Sequence, residues 1–514
     1  MAERRIAVCD LGSNSFRLVV FTATEHWWRR TDEIHEAVRI GAGLAETGAL
    51  SEAGIARGLA TAEVFAHFCE AVGIDEIDAV ATSAIRDASN AADFLDRCAL
   101  PVRVLSKEEE AHYGYLAAVN STTLADGAVL DLGGGSMQLV RVASRHAREL
   151  GSWPLGAVRM TERFDLGDAV ASKKQLRALR DHVAAELEDA PWLAKAGTRL
   201  VGIGGTVRNL AAAVQRAQGL PEFGVQGFVI VPEALDELVE QLAALPSAER
   251  AGVPGIKLAR ADLILAGAAV VQAVIEIGGF AGIEATEAGL REGVFFARHL
   301  PGDPPLFDDV RRASVLNLAA QYHVDAAHTR HVAHLALTLF DELAEAGLHP
   351  GDALDRELLW AACVLHDIGM SVDYDDHHKH SRYLVFNSGL PGWDQREVAL
   401  IGQAVRYHRK GMPDLGYLEP IAAKGDAAVL DRCAVLLRLA EDLERSRDQL
   451  VHEAHVSVGD ETAALTLEAG GDVRVARWAA SREVELFRRA YGRELAISAV
   501  PATSATSIGG TGLP

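Results

Sequence analysis

Val129-Leu130-Asp131-Leu132-Gly133-Gly134-Gly135-Ser136-Met137-Gln138-Leu139-Val140 is an apolar run that ends near an acid, turns on three glycines and a serine, and becomes apolar again. The pattern predicts strand, tight turn, strand. Adjacent glycines free the turn and leave no Cβ over its amides. Such amides can meet a phosphate, and an acid at the strand end can hold a cation. A glycine triplet alone more often just turns a hairpin. This one has an echo near the start of the chain: Ala7-Val8-Cys9-Asp10-Leu11-Gly12-Ser13-Asn14-Ser15-Phe16-Arg17-Leu18-Val19-Val20 repeats strand, Asp, small polar turn and strand.

Outward from these hairpins, strands and helices alternate to about residue 300, which predicts an α/β class. Ser51 is placed to cap a helix running to about Gly73. Residues 79–87 read as a strand ending in a polar turn. Arg86 at that end would fork onto a phosphate or form an exposed salt bridge. Ser106 caps the next helix, whose first turn carries Glu108, Glu109 and Glu110. Three acids there either serve the helix dipole or send one carboxylate toward the Asp131 turn as a base. Gly204, Gly205 and Thr206 open another helix at a ready anion site. Lys257–Gly267 reads as the start of a long apolar helix. Pro301-Gly302-Asp303-Pro304-Pro305 is a linker signal. Residues 308–450 are then nearly all helical and rich in histidine. Strands follow from Val451, with a helix over 477–491. Residues 501–514 read as a disordered tail.

The 514 residues carry a net charge of −22, with 49% apolar side chains. That is a globular, acidic protein of several domains, a poor partner for DNA or an anionic membrane surface. A polyanionic substrate must therefore find a local basic pocket or bring its own cations. Five scattered cysteines without a CxxC suit a reducing cytoplasm. The chain enters a strand almost at once, so no secretory leader is expected.

In order, the quoted motifs resemble the exopolyphosphatase/guanosine pentaphosphate phosphohydrolase family of the actin-like ATPase superfamily. They are Asp10–Arg17, Ala81–Asp87, Ser106–Ala111, Asp131–Ser136, Gly202–Thr206, Arg260–Gly267 and Gly289–Gly293. The resemblance implies two actin-like (ribonuclease H-like) lobes over 1–121 and 122–302. It also implies an all-helical HD-like domain over 306–450 and a small α/β domain over 451–500. It implies Glu110 as the catalytic carboxylate, and Asp131 with Asp10 as the metal site for Mg²⁺ or Mn²⁺. Ser13, Asn14, Ser15, Arg17, Arg86, Gly133, Gly134, Ser136, Gly205 and Thr206 would line the phosphate path. The implied substrates are inorganic polyphosphate or guanosine pentaphosphate, and the implied assembly is a homodimer.

One position departs from the family. An acid usually stands two residues after Ser136, and here it is Gln138, which brings no charge and takes no proton near neutrality. The chain is thus read as a hydrolase, with a catalytically weak polyphosphate- or (p)ppGpp-binding regulator as the alternative. In the helical part, His328, His366, Asp367, His378 or His380, and His408 follow the ligand order of HD-type metal phosphohydrolases, with Glu441 at the final acid. The alternative there is a set of satisfied core histidines. A chain ending near residue 302 is expected to keep the catalytic pocket.

Overall fold

A computed structural model describes residues 3–501. The tail expected at 501–514 lies outside the described residues, except for Pro501, which ends a strand. Two compact units are present. One runs to Ser314 and takes back Pro391–Gln395. The other holds Val315–Leu390 and the chain from Arg396 on. No helix among the described residues is long and apolar enough to cross a membrane.

The first unit contains the same sheet twice. Strands β1 (Arg4–Leu11), β2 (Phe16–Ala23), β3 (Trp28–Glu36), β4 (Glu76–Ala81) and β5 (Val102–Val104) lie in the order β3-β2-β1-β4-β5. Strands β6 (Gly127–Leu132), β7 (Met137–Ala143), β8 (His146–Trp153), β9 (Leu200–Ile203), β10 (Val229–Ile230) and β11 (Ile283–Ala285) lie in the order β10-β11-β9-β6-β7-β8. Each begins with an antiparallel hairpin and continues in parallel from the hairpin's first strand.

The central strands are continuously apolar because both faces are covered. Ala7, Cys9 and Leu11 join the core under the helix Glu52–Ala71, while Ile6 and Val8 join the one that includes Phe295 and Phe296. In β6, Leu130 and Leu132 face one core and Val129 the other. The twofold alternation of a strand thus serves two cores at once. The expected Ser51 cap is in place, its side chain accepting from Gly54.

Three local expectations are corrected. Arg86 sits on a short helix, Ser83–Asp87, not at a strand end. The long apolar helix starts at Ile264, with only a 3₁₀ turn before it at Leu258–Arg260. The helix expected over 477–491 is two, Arg474–Ala480 and Val484–Tyr491, separated by a 3₁₀ turn. They make the crossover that the parallel pair of strands Thr462–Ala469 and Glu494–Pro501 needs.

The second unit combines helices, including Ala326–Glu345, Ala353–Leu365, His377–Ser388 and Asp426–Leu443, with one three-stranded sheet. That sheet is β12 (Val451–Val458), β13 (Thr462–Ala469) and β14 (Glu494–Pro501), in that order.

Candidate functional site

The two hairpin turns are built alike. Gly12 donates its amide to the Ser15 carbonyl (3.2 Å), and Gly133 donates to the Ser136 carbonyl (3.0 Å). In the first turn the carbonyls of Ser13 and Asn14 accept from Gly41 (3.0 Å) and Arg39 (2.8 Å). In the second, those of Gly133 and Gly134 accept from Ala157 and Val158, each at 2.9 Å. Tying the carbonyls back leaves each turn presenting amides and small side chains. The turns also face one another. A Cβ on Gly134 would lie 3.3 Å from the Ser13 Cβ, and one on Gly135 would press on the hydroxyls of Ser83 and Ser13. Those hydroxyls are 3.1 Å apart.

Gly156 packs directly on the second turn, since any Cβ there would run into the backbone of Gly134 and Gly135. Gly156→Ala is therefore expected to push the second turn out of place and sharply reduce phosphate release. A thermal melt close to wild type beside that loss would locate the damage in the turn.

The three acids of the helix Lys107–Val119 divide the work. Glu109 closes a capping box with Ser106. Glu110 is buried and turned inward, with Arg86 Nη1 2.7 Å from its Oε2. Arg86 also donates to the Leu105 carbonyl (3.1 Å). It therefore forms a largely buried ion pair and not the exposed salt bridge anticipated as the alternative to a phosphate contact. The Ser136 hydroxyl is 3.5 Å from Glu110 Oε1. Burial raises the Glu110 pKa, against the pull of Arg86.

Asp131 and Asp10 end equivalent strands but have different neighbours. Asp10 pairs with Arg291 Nη1 at 3.3 Å. Burial raises its pKa, and Arg291 and Arg17 oppose the rise. Among the described residues, Asp131 makes no ion pair with a cation. Burial, then Glu110 and Asp10, pushes its pKa up to about 7. The Asp10, Glu110 and Asp131 oxygens do not form a tight three-ligand set among the described residues. A buried acid pushed up by two neighbouring carboxylates fits a hard divalent cation that keeps several waters.

Gln138 lies across the ladder from Asp131, as Arg17 lies across from Asp10. Its Nε2 donates to the hydroxyls of Ser136 (2.8 Å) and Ser152 (3.1 Å). Arg17 Nη1 is 3.2 Å from Glu33. Thr206 is buried with Gly267 closing on its methyl, a packing position, and Gly205 lies directly under the Arg260 guanidinium.

Sequence reading named Arg17 but missed the cations that gather with it. Burial lowers the pKa values of Arg17, Arg208 and Arg260, Arg208 to about 10, and their mutual repulsion and that of Arg291 add to it. These guanidiniums form a local cluster of positive charge in an otherwise acidic chain. Arg260 and Arg291 stand inside quoted motifs and Arg208 lies two residues after one, but spacing could not show that they converge.

In the helical unit, His328, His366 and Asp367 form one close set, and Asp367, His377 and His408 another, with ligand atoms within 4.8 Å in each. Glu441 Oε2 is 2.9 Å from His328 Nε2 and 3.3 Å from His366 Nε2. His380 belongs to neither set. His377 takes the place expected of it or of His378. The helix His377–Ser388 begins with the inward-facing histidine, and His380 lies nearly a turn further along.

Duplicated sheets with matched glycine–serine turns, strand-end acids and clustered guanidiniums define a mixed α/β unit built on a repeated plan. The chain belongs to the Ppx/GppA phosphatase family. The profile of that family matches residues 19–300, and that of Ppx/GppA phosphatase domain III matches residues 310–479. An exopolyphosphatase from Cytophaga hutchinsonii is similar at 22% identity and TM-score 0.53, covering 58% of this chain and 98% of its own. An exopolyphosphatase-like protein is 25% identical with TM-score 0.52, over 57% and 97%. The Aquifex aeolicus family member is 29% identical over 57% and 97%, with TM-score 0.49.

Proposed function

We propose that this chain is an exopolyphosphatase. It would hydrolyse the terminal phosphoanhydride of inorganic polyphosphate, and also that of guanosine pentaphosphate, by attack of water. The observation that carries this reading is the position of Glu110. It is a buried carboxylate held by Arg86 beside Ser136, at the meeting of two matched turns.

Phosphoanhydride hydrolysis needs an oriented water, charge neutralisation on the phosphoryl oxygens and in-line placement of the leaving group. Turn amides near Ser13, Asn14, Gly134 and Ser136 would grip the terminal phosphate. Arg17, Arg208, Arg260 and Arg291 would draw in the rest of the polyanion. Glu110 would orient the water and accept its proton, which a raised pKa favours. Asp131, with Asp10 near it, would hold Mg²⁺ or Mn²⁺, which when bound neutralises phosphate charge. The lobes 1–121 and 122–302, the HD-like reading of 306–450 and a homodimeric assembly belong to the same proposal. Phosphate release from long-chain polyphosphate, with and without Mg²⁺, tests it. No release with either metal, alongside intact polyphosphate binding, would favour the regulator, a reading supported by the uncharged Gln138.

The proton on Asp131 gives a pH dependence. A raised carboxyl pKa keeps the metal-free acid protonated below about 7. Metal must displace that proton, so the Mg²⁺ concentration for half-activity should rise as pH falls below 7, by at most about tenfold per unit. A flat Mg²⁺ requirement from pH 8 to 6 would remove Asp131 from the metal.

Gln138→Glu should lower the Mg²⁺ requirement several-fold. The Ser136 and Ser152 hydroxyls can rotate to donate to the new carboxylate, leaving it charged across the ladder from Asp131. An unchanged or higher requirement would show that position 138 does not sense the metal.

A further inference from the structure

Arg86 is gripped at one end only. Its Nη1 donates both to Glu110 Oε2 (2.7 Å) and to the Leu105 carbonyl (3.1 Å). Its Nε is buried and makes no hydrogen bond among the described residues. The carboxylate oxygen on that side is Asp87 Oδ1 at 3.6 Å, within ion-pair reach but too far for a hydrogen bond. A guanidinium held at one nitrogen can pivot there, and a carboxylate on its other side fixes its plane.

Asp87 is held in turn by a residue of the second sheet's connections. Its Oδ2 is 3.3 Å from Nη2 of Arg159, on the helix Ala157–Arg163. The amide of Arg159 donates to the Gly134 carbonyl at 3.3 Å, beside the bond from Val158. One residue thus touches the second turn with its backbone and Asp87 with its side chain. The contacts run unbroken from that turn through Arg159, Asp87 and Arg86 to Glu110. The Arg159 and Asp87 side chains are 25% and 36% exposed. An ion pair that open to solvent adds little to stability, so its effect must come through geometry.

We propose that Asp87 is a positioning residue for the water-activating carboxylate, and that Arg159 makes its hold depend on the second turn being seated. Asp87 fixes the plane of Arg86, and Arg86 aims Glu110. Arg159 keeps Asp87 turned toward Arg86 and away from solvent, which it can do only while its own helix sits against the turn. The turn that grips phosphate and the base beside it are thereby set together. This inference rests on the hydrolase reading of Glu110 and adds how that base is aimed.

The same contacts set the charge around Glu110. Burial raises its pKa and Arg86 opposes the rise, while Asp10 and Asp87 add to it. Asp131 is coupled to Glu110 as well. Removing Asp87 should therefore lower the Glu110 pKa. Removing Arg159, which offsets the Asp87 charge, should raise it. Asp10 and Asp131 are the same in both variants.

The test compares Asp87→Ala, Arg159→Ala and the double variant in phosphate release from polyphosphate at saturating Mg²⁺. Each single change should lower kcat roughly tenfold, since ångström-scale misplacement of a reacting group can cost more than this. KM and the thermal melt should stay close to wild type. The double variant should lose no more than the worse single one, because both act through one contact. A base works only when unprotonated, so activity falls as pH falls through its pKa. The acid limb of kcat should move to lower pH in Asp87→Ala and to higher pH in Arg159→Ala. Additive losses, or limbs that stay in place or move the same way, overturn the inference. So does a raised KM with unchanged kcat in Arg159→Ala, which would make Arg159 a substrate contact. The shifts can also be read without turnover, as the NMR carboxyl resonance of Glu110 in chain made with isotope-labelled glutamate, assigned by its loss in Glu110→Gln. A wild-type chain that releases no phosphate removes the hydrolase reading alone. The resonance then decides the network: opposite shifts uphold it, and equal or absent shifts overturn it.

Discussion

Glu110→Gln is expected to lower the rate of phosphate release from polyphosphate by roughly 10²–10⁴-fold, the usual contribution of a positioned general base. Glutamine keeps the shape and can still accept from Arg86 through its remaining oxygen. The turns, the guanidiniums and Asp131 are untouched. Substrate binding should therefore survive, and the loss should fall on kcat with little change in KM, as for an interaction made mainly in the transition state. Single-turnover release together with equilibrium binding separates the two. Near-normal turnover would move the base elsewhere, and a matching loss of binding would make Glu110 a binding group. Because Asp131 owes part of its raised pKa to the Glu110 charge, the variant should also bind Mg²⁺ at lower pH than wild type. That readout would not move if Glu110 merely supported the local fold.

How much of this was legible beforehand differs by residue. The hairpins could be read because Asp, small residues and flanking apolar runs impose them locally. The matching sheet order carries the same regularity to the whole first unit. Glu110 could be singled out from Glu108 and Glu109 only by resemblance. The Ser106-x-x-Glu109 spacing marks Glu109 for the cap, but it does not choose between Glu108 and Glu110 as the inward acid. The arginine group was illegible for a different reason: Arg17, Arg208, Arg260 and Arg291 are far apart in the chain and meet only through tertiary packing. His377 was passed over because the start of its helix depends on Asp376 taking a left-handed conformation, with φ 56°.

The return of Pro391–Gln395 to the first unit also had no sequence signal, and it sets the last prediction. Trp393 is among the largest side chains that are fully buried. Its indole Nε1 donates to the Arg311 carbonyl at 3.3 Å, and the Arg311 guanidinium lies 4.6 Å from the ring centroid. Gly392 donates to Ser121 at 2.9 Å, and Gln395 donates to Gly224 at 2.7 Å. The stretch after the expected linker is held as well, with Asn120 bonded to both Pro305 and Phe307. A chain ending near residue 302 would lose all of these contacts, so the sequence-based cut removes part of the unit it was meant to isolate. Trp393→Ala in the full chain should cost about 3–5 kcal/mol of stability, as aromatic-to-alanine changes in cores do. Denaturant unfolding should show this as an earlier loss of polyphosphate hydrolysis, while much of the helical circular dichroism persists to higher denaturant. If activity and the helical signal are lost together, the two units unfold as one cooperative block. If neither shifts, Trp393 contributes no net packing energy to the unit it returns to.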